Sequence, residues 1–420
     1  MNVRVLESAV TFREQPFVRP LQISSGKITE ITEATATVRV SLGGVEAEGR
    51  GSIYLSDLWA WPDPALSHDV RDAHLRSLTS EISERLADLG GGESAHPLEL
   101  GLRLHDNVCA MDSPVPSLLA RAMCLSPFDA AIHDAAGLAS GLSAFAFYDA
   151  PVPIPSADHL FPEGAVRGIR RIIRDPCFEM PAWLIVSRGD DLQQDVRPWI
   201  RERGYGCFKV KILGRDTEDD AARTAEVFRA VRAFGVAAPR LTVDSNEGNA
   251  DARSVRDYLL SLRQRDSEAF EAVEYLEQPT ARDIGEHPYD WKPVTALKPV
   301  MLDEGLTGLD ILPGAFKQGW SGLAMKTCKG HSFALAASAW AAARGMPIAL
   351  QDLTNPGLSL IHAALFAAHI PTVNGVELNS PQYTPDANSP WLPRHAGLFQ
   401  PEDGVHRLPR AAVAGLGSAL

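Results

Sequence analysis

The chain has 420 residues, more than one compact core ordinarily holds, so two domains are expected. Hydrophobic residues make up 45% and charged residues 22%, an ordinary globular balance, and no run of 18 apolar residues occurs that would suit a membrane span. The net charge of −13 comes from acidic residues spread along the chain, which argues against the clustered basic face that nucleic acid requires.

The N-terminus carries Arg4 and Glu7 inside its first apolar stretch, reads as a strand rather than a secretory signal, and makes the cytoplasm the expected compartment. Apolar and polar residues alternate in VRVLESAVTF, ITEATATVRVSL and VEAEGRGSI, the pattern of an antiparallel sheet with one buried face. PLQISSGK, containing Ser25, and YLSDLWAWPDP, containing Trp59 and Trp61, have turn chemistry and read as loops. Residues 67–90 and 116–148 read as helices, which completes an α+β domain over 1–148. From about residue 150 short apolar runs alternate with amphipathic stretches. FKVKIL, LTVDSN, VEYLEQP, PVMLDE, GLAMKT, PIALQD and NGVELN read as strands, with helices expected at 217–235, 251–264, 331–344 and 357–369. That rhythm predicts parallel β/α units over 149–385, with 386–420 returning to the first domain. No GxGxxG or GxxxxGK[ST] follows a strand, which favours a barrel over a nucleotide-binding doubly wound sheet. Five widely spaced cysteines without a CxxC pair suit reduced thiols better than disulfides or zinc.

Each expected barrel strand ends on a polar residue that burial alone would not select. These are Lys211, Asp244, Glu277, Asp303, Lys326, Asp352 and Glu377, spaced 23 to 33 residues apart. One βα unit takes roughly 30 residues, so the series marks one ionisable group per strand. The C-terminal strand ends of a β/α barrel share one mouth, where these groups are expected to gather. A single strand-end acid can merely cap the following helix, but Asp244, Glu277 and Asp303 lie on successive strands, a register capping does not need. Three adjacent carboxylates repel unless a cation lies between them. Oxygen donors alone suit a hard ion, Mg²⁺ before Mn²⁺ or Ca²⁺, and the lack of His or Cys argues against zinc. Lys211 and Lys326 flank the trio, and a buried lysine beside a dication has the lowered pKa of a base at neutral pH. Lys209 and Lys329 are expected to pair with the metal-binding carboxylates.

Six segments then carry a resemblance: KVK (209–211), VDSNEG with Asp244 and Asn246, EYLEQP with Glu277, LDE with Asp303 and Glu304, MKTCK with Lys326, and SPFDAAIHDAAGLASGL. Together they resemble the enolase superfamily, within its muconate-lactonising enzyme and mandelate racemase relatives. The resemblance implies an α/β fold, a modified (β/α)₇β TIM-type barrel with an N-terminal α+β capping domain. It implies one Mg²⁺, with Mn²⁺ as a substitute, on Asp244, Glu277 and Asp303. It implies catalysis by Lys211 and Lys326, supported by Lys209, Asn246, Glu304, Asp352 and Glu377. Lysines on both flanks, with Gln351 and Asp352 where mandelate racemase relatives place a histidine, point to the muconate-lactonising branch. The implied chemistry is removal of the proton alpha to the carboxylate of a small-molecule substrate through an ene-diolate, with racemisation or epimerisation of a carboxylic acid or amino-acid derivative as the outcome. The alternative uses the same site for β-elimination or cycloisomerisation, and a catalytically inactive binding protein is the remote one.

Dipeptide epimerases carry Asp-x-Asp on the eighth strand, whereas Glu377 and Asn379 stand here, so an amino-dipeptide substrate is not implied. The cap loops with Ser25, Trp59 and Trp61 would lie over the site; the two tryptophans suit gripping substrate and packing on the barrel equally. His331, at a helix start, is expected to face solvent. Residues 157–183 read as a long connection between the first and second barrel strands, without a legible role. A homo-oligomer is expected.

Overall fold

Three strands, β1 (Val3–Ile23), β2 (Gly26–Leu42) and β3 (Val45–Leu55), form an antiparallel sheet in the order β1-β2-β3. The computed structural model describes residues 1–411 and 413–419. Period-two alternation turns Ala34, Ala36, Val38 and Val40 of β2 into the core. Against β3 lies the helix Leu118–Ser140. Its approach depends on Gly49 and Gly51, because a Cβ on either would collide with the helix backbone at Ala131 or Pro127. The helix stops short of the expected residue 148 because Gly141, at φ 71°, takes the left-handed conformation that ends it. His68–Leu89 matches its expected range, while the helix Pro97–Ala110 is an addition to the expected elements.

The stretch PLQISSGK is a hairpin, not a loop. Leu21 pairs with Ile28 and Ile23 with Gly26, so β1 and β2 run on to a tip at Ser24 and Ser25. Tyr54 and Leu55 likewise complete β3, and Asp57–Ala60 forms a single helical turn.

The second half begins with β4 (Glu179–Pro181), a short strand outside the barrel. The barrel strands are β5 (Trp183–Val186), β6 (Cys207–Lys211), β7 (Arg240–Asp244), β8 (Val273–Glu277), β9 (Val300–Leu302), β10 (Gly322–Lys326) and β11 (Ile348–Gln351). They pair in sequence order as one parallel sheet. Helices Thr217–Ala233, Ala252–Arg265, His331–Ala342 and Gly357–His369 alternate with them. An eighth segment follows through a parallel bridge between Gln351 and Glu377. Side chains seal it to β5. Gln382 accepts from the Ile185 N–H at 3.0 Å and donates to the Ile185 carbonyl at 2.7 Å, so its amide replaces a strand residue. Asn379 donates to the Trp183 carbonyl at 3.2 Å, and the Trp183 indole to the Asn374 carbonyl at 2.8 Å.

This closure makes β5 the first barrel strand, so residues 157–183 run up to and into that strand instead of linking the first two. Within them the helix Ala165–Ile172 packs on His331–Ala342, and β4 pairs antiparallel with β12 (Val405–Arg407). Beyond β12 the chain reaches the Leu118–Ser140 helix, where Asp134 accepts from the Leu416 N–H at 2.8 Å. Among the described residues no helix is long and apolar enough to cross a membrane.

Inside the barrel, inward-facing positions stack in layers. Tyr275, Met301, Ala324 and Ala349 form a small buried cluster. Two residues further along each chain segment stand Glu277, Asp303, Lys326 and Gln351. An apolar floor thus carries a polar layer at the strand ends.

Candidate active site

The strand ends enclose a cavity of about 50 Å³ lined by Lys209, Lys211, Asp244, Glu277, Lys326 and Glu377, among others. Lys209 and Lys211 enter it together because residues two apart on β6 share a face. Lys209 Nζ lies 2.9 Å from Glu277 Oε2, 3.3 Å from Asp244 Oδ2 and 3.4 Å from Glu377 Oε2. Lys211 Nζ donates to Asp244 Oδ2 at 2.5 Å and Asn246 Oδ1 at 2.8 Å. On the other flank Lys326 Nζ contacts Asp303 Oδ2 and donates to Gln351 Oε1 at 2.7 Å and Glu277 Oε1 at 3.2 Å. Lys329 Nζ is 3.1 Å from Asp303 Oδ1. Asp352 also lines the cavity, accepting from the Thr354 N–H at 2.7 Å.

Six buried carboxyl groups, Asp244, Glu277, Asp303, Glu304, Asp352 and Glu377, meet four buried ammonium groups, Lys209, Lys211, Lys326 and Lys329. The carboxyls outnumber the ammonium groups by two, and two of them, Glu304 and Asp352, are the ones that burial holds in the protonated form. Burial, with Asp303 and Glu247 adding to it, pushes Glu304 up to about 8. Burial also raises Asp352 well above the carboxylate range, with Glu377 adding to it. Burial works against ionising Glu277, but Lys209 and Lys326 outweigh it and hold that carboxyl well below its ordinary range. Burial works against charging Lys326, yet Asp303 and Glu277 overcome it and raise its pKa. The lowered pKa expected for Lys326 is therefore not a property of the protein atoms by themselves.

The donor set fits a hard dication in charge and chemistry. It is all oxygen, its carboxyl groups outnumber the ammonium groups by two, and Glu304 Oε2 is buried with no hydrogen-bond partner among the described residues. The ammonium groups fill the space between the carboxylates, so among the described residues no three Asp, Glu, His or Cys side chains already form a cage. An ion on Asp244, Glu277 and Asp303 would take the place of lysine contacts at all three.

Two further neighbours, Gln278 and Gln351, are neutral and so carry no strand-end charge to mark them in the sequence. Gln278, inside the EYLEQP segment, accepts from the Asp303 and Gly305 N–H groups at 2.9 and 3.0 Å and so orients the chain after β9. Gln351 bridges both lysine flanks, accepting from Lys209 at 3.2 Å as well as from Lys326.

The roof comes from the first half of the chain. Leu21, Ile23 and Ile28 of the β1–β2 hairpin face the cavity, and Ser24 Oγ donates to the Asn246 carbonyl. Ser25 is exposed at the tip, its hydroxyl 3.5 Å from the Leu58 carbonyl, and does not line the cavity. Trp59 does. Its indole donates to Glu304 Oε1 at 2.8 Å, Asn246 Nδ2 donates to the same oxygen at 3.1 Å, and Lys326 Nζ sits 5.4 Å from its ring centre. Trp61 lines a separate, larger groove. His331 is buried instead of facing solvent, edge-on to His133 with ring centres 4.6 Å apart. Its helix start docks on the Leu118–Ser140 helix, where Asp129 accepts from the Ser332 N–H and hydroxyl, both at 2.8 Å. Burial, then His133, pushes its pKa well below the ordinary histidine value.

Solved structures share this architecture. The muconate lactonizing enzyme from Pseudomonas fluorescens, complexed with muconolactone, superposes with a TM-score of 0.66 at 17% identity, over 99% of this chain and 96% of that one. The N-succinyl Arg/Lys racemase from Bacillus cereus ATCC 14579 gives 0.67 at 17%, over 99% and 95%. The dipeptide epimerase from Enterococcus faecalis V583, complexed with Mg and the dipeptide L-Leu-L-Tyr, gives 0.64 at 16%, over 99% of both chains. At these identities the likeness is one of fold. No curated protein matches the sequence. Residues 191–420, more than half of the chain, match the sequence pattern of one family, and on that match the chain belongs to the enolase C-terminal domain-like family.

Proposed function

We propose that the chain is a Mg²⁺-dependent enzyme of the lysine-pair, muconate-lactonising kind. It would remove the proton alpha to the carboxylate of a small-molecule substrate and return it with racemisation or epimerisation. One observation carries this reading: Lys211 and Lys326 stand at the ends of β6 and β10, on opposite flanks of the strands leading to Asp244, Glu277 and Asp303, and both ammonium groups lie on those carboxylates. Two acid–base groups facing one point from opposite sides suit a proton taken from one face and returned to the other.

Asp244, Glu277 and Asp303 would hold the ion, which when bound supplies positive charge against the charge that builds on the substrate carboxylate. Lys211 and Lys326, relieved of their carboxylate partners and still buried, then lose the interactions that favour their charged forms. One can accept the proton at Nζ while the other donates. Asn246 Oδ1 holds Lys211 in place. Lys209, between Glu277, Asp244 and Glu377, offsets the remaining negative charge. Trp59 and the hairpin side chains Leu21, Ile23 and Ile28 keep water out. With Asn379 donating to the Trp183 carbonyl, Glu377 is the only ionisable member of its pair, which supports a substrate other than an amino-dipeptide.

The test is proton NMR of a carboxylate library in D₂O with Mg²⁺. Exchange of the alpha proton with inversion is expected; a new alkene signal instead would assign the site to elimination. Calorimetry checks the metal. Asp244→Asn is expected to weaken Mg²⁺ binding at least ~100-fold, the upper end of what losing even an outer-sphere partner costs. Undiminished binding in that variant would remove Asp244 from the ligand set.

A further inference from the structure

We infer that Arg282 is a positioning residue that clasps the Trp59 turn over the carboxylate cavity, and that Glu247 holds Arg282 for this task. The inference rests on that cavity being the reaction site proposed above.

A cavity of about 50 Å³ is far smaller than an organic carboxylate with its substituents, since a single water already needs about 10–15 Å³ of such space. The roof has to move for substrate to enter. On its outer side lies an open groove of about 680 Å³, lined by Trp61, Pro62, Arg282, Ile284, Thr307 and Asp310 among others. Trp59 faces the inner cavity and Trp61 the outer groove, so the stretch between them is the partition.

Two arginines hold that partition, from different sides. Arg71, on the helix His68–Leu89, donates to Asp57 at 2.8 Å and to the Asp63 carbonyl at 3.0 Å. Both ends of those bonds belong to the first half of the chain, and Ser117 Oγ adds a further bond of that kind to the Ala60 carbonyl at 2.6 Å. Arg282, in the loop after β8, instead reaches across from the barrel. It donates to the Trp59 carbonyl at 3.1 Å and the Ala60 carbonyl at 3.0 Å. Releasing Arg282 would leave the turn attached to the cap and joined to the barrel by the Trp59 indole on Glu304, a much weaker hold on that side, which is the asymmetry of a hinge.

Arg282 is itself fixed. Its backbone N–H donates to Glu247 Oε2 at 2.8 Å, and its Nε lies 3.0 Å from both carboxylate oxygens. Glu247 has φ 68°, and its neighbours in space Asn246 and Gln278 have φ 42° and 30°. Such left-handed conformations are unfavourable for side-chain-bearing residues and persist where the surroundings enforce them. Here the Glu247 N–H donates to the Gln278 carbonyl at 2.8 Å, which aims the carboxylate at Arg282. The planar guanidinium serves two carbonyls and a carboxylate at once, a geometry that lysine does not reproduce.

Hydrogen exchange of the full chain tests this without substrate. Arg282→Ala is expected to speed exchange across residues 57–62 by about tenfold, as expected for local opening, while the helix His331–Ala342 keeps its wild-type rate. Arg282→Lys is not expected to restore protection. If Arg282→Ala loosens the whole chain, Glu247→Gln decides: faster exchange confined to 57–62 supports the clasp, and wild-type exchange there overturns it. Wild-type exchange at 57–62 in a folded Arg282→Ala protein overturns it as well. With a substrate from the D₂O screen, Arg282→Ala is expected to lower kcat about tenfold with KM changed less, because Trp59 meets Glu304 and Lys326 only in the closed state; an effect on KM alone overturns the positioning role. Failure of the exchange result leaves the proposed reaction standing, whereas absence of alpha exchange in D₂O removes the reaction and leaves the clasp.

Discussion

Lys211→Ala and Lys326→Ala are each expected to lower racemisation at least ~10³-fold, within the 10²–10⁴ that a positioned acid–base group contributes. The two losses should differ in kind. With one lysine removed, the survivor still reaches one face of the alpha carbon, so alpha exchange in D₂O should persist for one enantiomer and vanish for the other. The enantiomer that keeps its exchange should be opposite in the two variants. The geometry behind this is the placement of the two ammonium groups, one on Asp244 at 2.5 Å and the other on Asp303 and Glu277, across the intervening strands β7, β8 and β9. Removing a lysine also leaves buried carboxylates without their partner, so melting temperatures measured with Mg²⁺ present must accompany the kinetics. Full turnover in both variants would make the base assignments wrong.

Trp183→Ala should cost about 3–5 kcal/mol of stability, the usual range for emptying a large aromatic site in a core. Trp183 is 1% exposed and opens β5, where the barrel sheet meets its eighth segment. Its ring carries the Arg240 guanidinium 5.2 Å from its centre, and its indole N–H donates to the Asn374 carbonyl. Truncation leaves a void and an unpaired carbonyl at the seam that Gln382 and Asn379 close with side chains. Glu377 lies on the same segment, so activity should fall with stability. Urea unfolding measures the loss; a change below about 1 kcal/mol would show that the seam does not depend on this ring.

Much of the architecture is legible in local patterns. Period two in VRVLESAVTF, ITEATATVRVSL and VEAEGRGSI corresponds to β1, β2 and β3, and the β/α rhythm corresponds to the parallel sheet. The polar residues at strand ends are visible because a strand interior selects apolar side chains, so an exception every 23 to 33 residues stands out. Lys211, Asp244, Glu277, Lys326, Asp352 and Glu377 all line one cavity, with Asp303 bonded to Lys326 beside it. Turn chemistry misleads at Pro20–Lys27, where the Ser-Ser-Gly sequence marks the tip of a hairpin whose flanks continue as strands through cross-strand pairs.

With the hairpin flanks at Pro20–Lys27 and the helix Pro97–Ala110 as exceptions, the order of apolar and polar residues thus marks most of the strands and helices and the side chains at the barrel mouth. These follow from periods of a few residues along one chain. The placements that decide the chemistry join residues far apart in sequence: Trp59 on Glu304, Arg282 on the Trp59 carbonyl, and His331 against His133. No local period encodes them. They arise when the cap sheet and helices dock on the barrel, because burying apolar surface there sets where each polar side chain must find its partner. The charge register therefore lies in the sequence, while the roof, its clasp and the burial that keeps Glu304 and Asp352 protonated exist only once the two halves are packed together.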